Sequence, residues 1–237
     1  MERALETLVG KLAAAYGDGL ISVILYGSAA AGRHDRYSDL NIFCVLRSIT
    51  AAELSKSEPI FRWWRDLGNP TPLLMTEEEA RRSTDSFPIE FRDMQERRVL
   101  LHGRDIIAEL TVNPACHRSQ LEHDLRVKLL RLRQRAAAVL SERDALLRLC
   151  IDSVSTFCVL GRHAVLAAGR PCGWGRREVV ESLERAFGAD LPAFKTLLDV
   201  REGKIAPQEA EPATLFEKYL GEVYRLIAFV DALDQSQ

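Results

Sequence analysis

What the sequence lacks narrows it before any motif is read. Five cysteines, Cys44, Cys116, Cys150, Cys158 and Cys172, are spread over 237 residues, and no two are spaced as C-x-x-C. An odd count without that spacing speaks against a zinc ribbon, a thioredoxin-like motif and a secreted disulfide scaffold. Small apolar side chains in a reducing compartment remain. Charge of one sign is lacking too: 32 Lys+Arg meet 34 Asp+Glu, a net charge of -2. That balance excludes a generally basic protein that coats nucleic acid, though not a local basic site. No window approaches the run of uncharged apolar residues that a membrane span needs, and ISVILYGSAAAG is too short for one. The stretch MERALETLVGKLAAAYGDG is amphipathic with charges throughout, reading as neither signal peptide nor anchor, so a cytoplasmic protein is expected. There is no internal repeat and no low-complexity tract.

What is present is ordinary for a globular chain: 47% hydrophobic and 28% charged residues, in a length that fits one large or two small domains. Leu5, Leu8, Val9, Leu12 and Ala15 recur at helical spacing from Glu2 to Tyr16. Ile21 to Tyr26 and Leu40 to Leu46 are apolar runs of strand length, and Pro72 to Thr76 and Val99 to His102 read as shorter strands. Ala51 to Leu67 reads as a helix that Pro59 must start or kink. Ser86 to Met94 is open: Phe87, Ile89 and Phe91 alternate like a strand, while Pro88 could equally begin a helix. After Asn113-Pro114 the pattern changes to long helices, His117 to Leu140, Glu142 to Ala168, Arg176 to Phe187 and Pro212 to Leu233. The expected organisation is α+β, with a mixed sheet and helices over residues 1–112 and a helical bundle over 113–237.

One stretch carries chemistry: Leu25-Tyr26-Gly27-Ser28-Ala29-Ala30-Ala31-Gly32-Arg33, then Ser38-Asp39-Leu40-Asn41. A strand delivers the chain to Gly27-Ser28, where small side chains let a phosphate approach the backbone. The next residues, if helical, aim free N–H groups at it. Ser28 adds a hydroxyl, and Arg33 and Arg36 lie close in sequence. Asp39 and Asn41, two apart where a strand begins, project from the same face, and an acid there could hold Mg²⁺ against nucleotide phosphates. No Gly-Lys-Ser/Thr follows, so this is not a P-loop, and no Rossmann fingerprint is present.

The motif resembles that of the polymerase-β-like nucleotidyltransferases, in particular the bacterial branch of kanamycin nucleotidyltransferase and the aminoglycoside adenylyltransferases. The resemblance rests on LYGSAAAGRHDRYSDLN for its motif and on the order of elements for the rest of the N-terminal domain. It implies that Gly27, Ser28, Arg33 and Ser38 bind the nucleotide, and that Asp39 and residue 41 hold metal for in-line transfer from a nucleoside triphosphate (NTP). The family's second aspartate is Asn41 here, a neutral and weaker ligand. One unit charge at ~4 Å is worth roughly 4 kcal/mol at an effective dielectric of 20. The replacement therefore costs up to about a thousandfold in metal affinity or rate. A third carboxylate is not assigned: the strand candidate Pro72 to Thr76 contains no acid, and Glu77, Glu90 and Asp93 are nearby in sequence.

Two functions are carried forward. The first is Mg²⁺-dependent nucleotidyl transfer to a small-molecule or protein hydroxyl, the acceptor lying between the domains. The second is a non-catalytic nucleotide-binding or interaction protein, a pseudoenzyme on the same scaffold. Membrane and nucleic-acid partners are not expected, and a homodimer is left open. Weaker signals have plain readings beside functional ones. Arg126, Lys128, Arg131, Arg133 and Arg135 flank the apolar stripe Leu121, Leu125, Leu129, Leu132 and Ala136, as a phosphate-facing surface or a solvated helix face. Trp63-Trp64 could stack a base or fill core, Gly173-Trp174-Gly175 could line a pocket or plug a loop, and His34 follows the Gly-Ser turn.

Overall fold

Leu5, Leu8 and Leu12 fall one turn apart on the first helix, α1 (Glu2–Tyr16), and are its buried residues. They pack on a four-stranded sheet of β1 (Leu20–Tyr26), β2 (Asn41–Leu46), β3 (Leu73–Thr76) and β4 (Arg98–Gly103), in the order β3-β2-β1-β4. The protein is seen in a computed structural model that describes residues 2–27, 29–31 and 40–233. β1 is antiparallel to both β2 and β4, whereas β2 and β3 run parallel and need a crossover. That crossover is α2 (Ala51–Asp66). Pro59 sits inside α2 without ending it, and Ile60, Phe61 and Trp64 around it are buried.

The pleat sorts the sheet into two faces. Val23, Leu25, Ile42, Cys44 and Leu46 join the core beneath α1 and α2. Ile24, Phe43 and Val45 face the other way, onto α3 (Glu77–Arg82), α4 (Pro88–Glu96) and a 3₁₀ turn at Ile106–Glu109. The open question at Ser86 to Met94 is resolved as helix. Pro88 takes the first position of α4, and Phe91 and Met94 bury against the sheet. α3 was not expected; Thr76 begins it through a capping box with Glu79.

By its contacts the chain divides into two compact units, Met1–Cys116 and His117–Gln237. The second is built from α5 (Pro114–Val139), α6 (Arg143–Ala167), α7 (Arg176–Phe187), α8 (Pro192–Arg201) and α9 (Pro212–Ala232). α6 is the hub, packed against α7, α8 and α9. It is long and apolar enough to cross a membrane, yet most of that apolar length is buried, as in the core helix of a bundle. α8 went unanticipated because its N-terminus is capped from another helix. The Glu222 carboxylate on α9 accepts from the Ala193 and Phe194 amides, both at 2.9 Å.

All five cysteines are free. Burial pushes the Cys44, Cys150 and Cys158 thiols up to about 12, which keeps them protonated and unreactive.

Candidate functional site

The end of β1 and the start of β2 meet where the sequence concentrates its motif. Tyr26 is paired with Asn41 on one side and with Arg98 of β4 on the other. Gly27 follows directly with φ +81, a left-handed conformation that side chains strain to adopt. A β-carbon there would lie 3.2 Å from Asn41 Nδ2, a tight contact with that side chain. Ala29–Ala31 form a 3₁₀ turn. Ser28, Arg33, His34, Arg36, Ser38 and Asp39 lie outside the described residues.

Asn41 alternates with Phe43 and Val45, and Tyr26 with Ile24. Both therefore belong to the face covered by α4. Glu90 stands in the first turn of α4 and is exposed. Burial raises the Tyr26 phenol above its ordinary value, and the Glu90 charge adds to that rise. Tyr26 thus ties Glu90 electrostatically to the strand end that carries Gly27 and Asn41.

Glu77 does not belong to this corner. β3 runs parallel to β2 with Thr76 opposite Leu46, five residues from Asn41, about 16 Å at strand spacing. Glu77 is also engaged: it accepts from Arg81 at 2.9 Å and from Arg104, and these bonds hold its carboxyl below the ordinary range. A cavity of about 1010 Å³ opens at that far end, lined by Arg47, Thr50, Thr76, Glu77, Arg81 and Arg104. Glu77, Arg81 and Arg104 in its wall are already paired with one another or with Glu109.

Among the described residues, no group of three or more His, Cys, Asp or Glu gathers as a metal site. Among the described residues, the Asn41 amide brings an oxygen donor to the Gly27 corner, and Glu90 lies on α4, which covers the same sheet face. These two groups do not make a cation site by themselves.

The singled-out tryptophans are engaged in packing. Trp64 is fully buried, while Lys11 Nζ stands 5.3 Å from the Trp63 ring. Trp174 covers the buried Arg162 guanidinium at 3.5 Å. A feature not anticipated is the buried pair His117 and His163, whose Nε2 and Nδ1 share a hydrogen bond of 2.9 Å. The two lie 46 residues apart in sequence, and only the packing of α5 on α6 brings them together.

No protein-family model matches the sequence, and no curated protein matches it. Similarity is found instead at the level of structure. The chain is similar to spectinomycin adenyltransferase AAD(9) from Enterococcus faecialis, solved with ATP and spectinomycin. The TM-score is 0.59 at 11% identity, over 96% of this chain and 98% of that one. A mixed sheet with helices followed by a mostly helical part is thus a nucleotidyltransferase-like fold.

Proposed function

We propose that this protein is a cytoplasmic nucleotidyltransferase that moves a nucleoside monophosphate from an NTP, ATP first among them, to a hydroxyl on a small molecule. Residues 1–112 and 113–237 act as separate nucleotidyltransferase-like and helical domains. The observation that carries the reading is the corner at Gly27 and Asn41, a side-chain-free turn against the start of β2, in a fold shared with an adenyltransferase solved with ATP. In this reading the Gly27 backbone and the Ser28 hydroxyl donate to the nucleotide phosphates, with Arg33 and Ser38 beside them. Asp39, Asn41 and Glu90 would hold Mg²⁺, which when bound neutralises phosphate charge and polarises the leaving group. Asp39 would also accept a hydrogen bond from the acceptor hydroxyl and take its proton as that oxygen bonds the α-phosphorus and pyrophosphate leaves.

A second reading, a nucleotide-binding protein without turnover, is favoured by one feature, the amide at Asn41 where the family motif has an acid. Turnover of α-labelled ATP or GTP with Mg²⁺ or Mn²⁺ against a hydroxyl panel, alongside calorimetry, separates the two. Transfer abolished by Asp39→Asn supports the enzyme. Metal-dependent binding with no turnover supports the second reading, and no binding under any metal condition sinks both.

A further inference from the structure

α5 and α6 line a half-open cavity of about 410 Å³ within the helical unit, the size of a small-molecule site. Lys128, Arg131 and Arg135 line its α5 side, and their spacing puts all three on one helical face. Several cations elsewhere in this unit are engaged, though Arg133, Arg148 and Lys218 have no ion pair or hydrogen bond among the described residues. Arg126 bonds Glu122 and Asp231, Arg177 bonds Asp199 and Glu202, and Arg143 reaches three backbone carbonyls. Among the described residues, Lys128, Arg131 and Arg135 have no ion pair and no hydrogen bond. Arg131 and Arg135 are moreover like charges four residues apart, an arrangement that costs a few tenths of a kcal/mol unless an anion sits between them.

The α6 side contributes one carboxylate, Asp152, so the wall keeps an excess of two positive charges. It also contributes hydroxyls. Ser153 is engaged with the Cys150 carbonyl and the Tyr219 hydroxyl at 3.0 Å each, whereas Thr156 has no hydrogen bond among the described residues. The floor is apolar: Leu132, Leu149 and Phe157 are buried beneath the charges.

We propose that this cavity is a binding site for a phosphorylated small molecule with a compact apolar or aromatic body. Two guanidinium forks and an ammonium match a phosphate dianion in charge and in planar donor geometry. Thr156 supplies a neutral donor, and the Phe157 floor takes the organic part. A polynucleotide would call for a longer stripe of charge, whereas these three span two turns of one helix beside a single half-open cavity. The site is built entirely from the helical unit and does not rest on the nucleotidyl-transfer reading.

The test is calorimetry of the full chain at low salt with EDTA, which withholds the metal a nucleotide site would need. The probes are phenyl phosphate, inorganic phosphate and phenol. Phenyl phosphate is expected to bind saturably at one site, inorganic phosphate more weakly and phenol not at all. Arg131→Glu and Arg135→Glu should each weaken phenyl phosphate at least tenfold. Arg133→Glu, the same charge change outside the cavity, and Gly27→Ala should each alter it less than twofold. All three arginines are exposed, so melting temperatures should hold; Arg131→Gln replaces the reversal if one falls. The proposal is overturned if neither phosphate binds, if Arg133→Glu weakens binding as much as Arg131→Glu, or if Gly27→Ala abolishes it. A short oligonucleotide binding more tightly through Arg131 and Arg135 would overturn it in favour of a nucleic-acid surface.

Discussion

Asn41 Nδ2 stands 3.2 Å from where a β-carbon on residue 27 would sit, and residue 27 has φ +81. The positive φ calls for glycine, and the contact adds a tight fit that the Asn41 side chain must yield to admit a methyl. Gly27→Ala should lose about 1–2 kcal/mol of stability from backbone strain alone. It should also weaken nucleotide binding, because the methyl fills the space a phosphate would approach. Gly10 is the internal control: it lies in α1 with nothing within 4 Å of its β-carbon position, so Gly10→Ala should stabilise by up to about 1 kcal/mol. Urea unfolding of both variants checks the pair. A Gly27→Ala protein as stable as the parent would remove the argument for a required turn.

Asn41→Asp should raise Mg²⁺ or Mn²⁺ affinity by at least tenfold under the proposed reading, since it adds a unit charge on the sheet face that α4, the helix of Glu90, covers. The gain should shrink when Glu90→Gln is added, because the two groups would share one ion. Mn²⁺ binding followed by electron paramagnetic resonance reads this without turnover. Equal metal affinity in parent and Asn41→Asp would show that no cation sits at this corner.

The motif half of the fold was legible because its signals are local. β1 and β2 are continuous apolar runs, and Gly27 announces a turn at the place where one occurs. α3 was legible in principle, since Thr76 and Glu79 have capping-box spacing, but a six-residue helix lacks the periodicity that draws attention. Glu77 could not be judged from sequence. Its proximity to a strand end says nothing of which end, and the parallel pairing of β2 with β3 is what carries it away from Asn41. The cationic cavity was half visible: the basic side chains of α5 were evident, whereas Thr156 and Phe157 across from them depend on how α6 packs.

Acid should loosen the tie between α7 and α8. Arg177 donates to Asp199 and Glu202, and with Lys204 it lowers the Glu202 carboxyl to about 2. A folded-state value below the unfolded one means stability that is present above the ordinary carboxylate range and lost as pH falls through about 2. The pair is solvent-exposed, so its contribution stays within about 1 kcal/mol and declines with salt. Melting curves between the ordinary carboxylate range and the low end should therefore fall less steeply for Glu202→Gln than for the parent. Parallel curves would place the acid sensitivity elsewhere.

Glu222 should behave in the opposite sense. Its carboxylate is buried on α9 and accepts the Ala193 and Phe194 amides at the start of α8, where Leu191 offers no side-chain cap. Burial raises its pKa, and the two amide bonds oppose that rise without cancelling it. The folded state therefore holds the proton more tightly than the unfolded chain. The contribution of Glu222 is fullest below the ordinary carboxylate value and diminishes as pH rises through the raised one. Glu222→Ala leaves two buried N–H groups without an acceptor and should cost about 2–4 kcal/mol. Glu222→Gln keeps one carbonyl acceptor, costs less, and has no proton to release. Thermal melts of parent and Glu222→Gln across this range decide the sign. The parent's advantage should narrow as pH rises; a widening one would mean that the amide bonds, not burial, control this carboxyl.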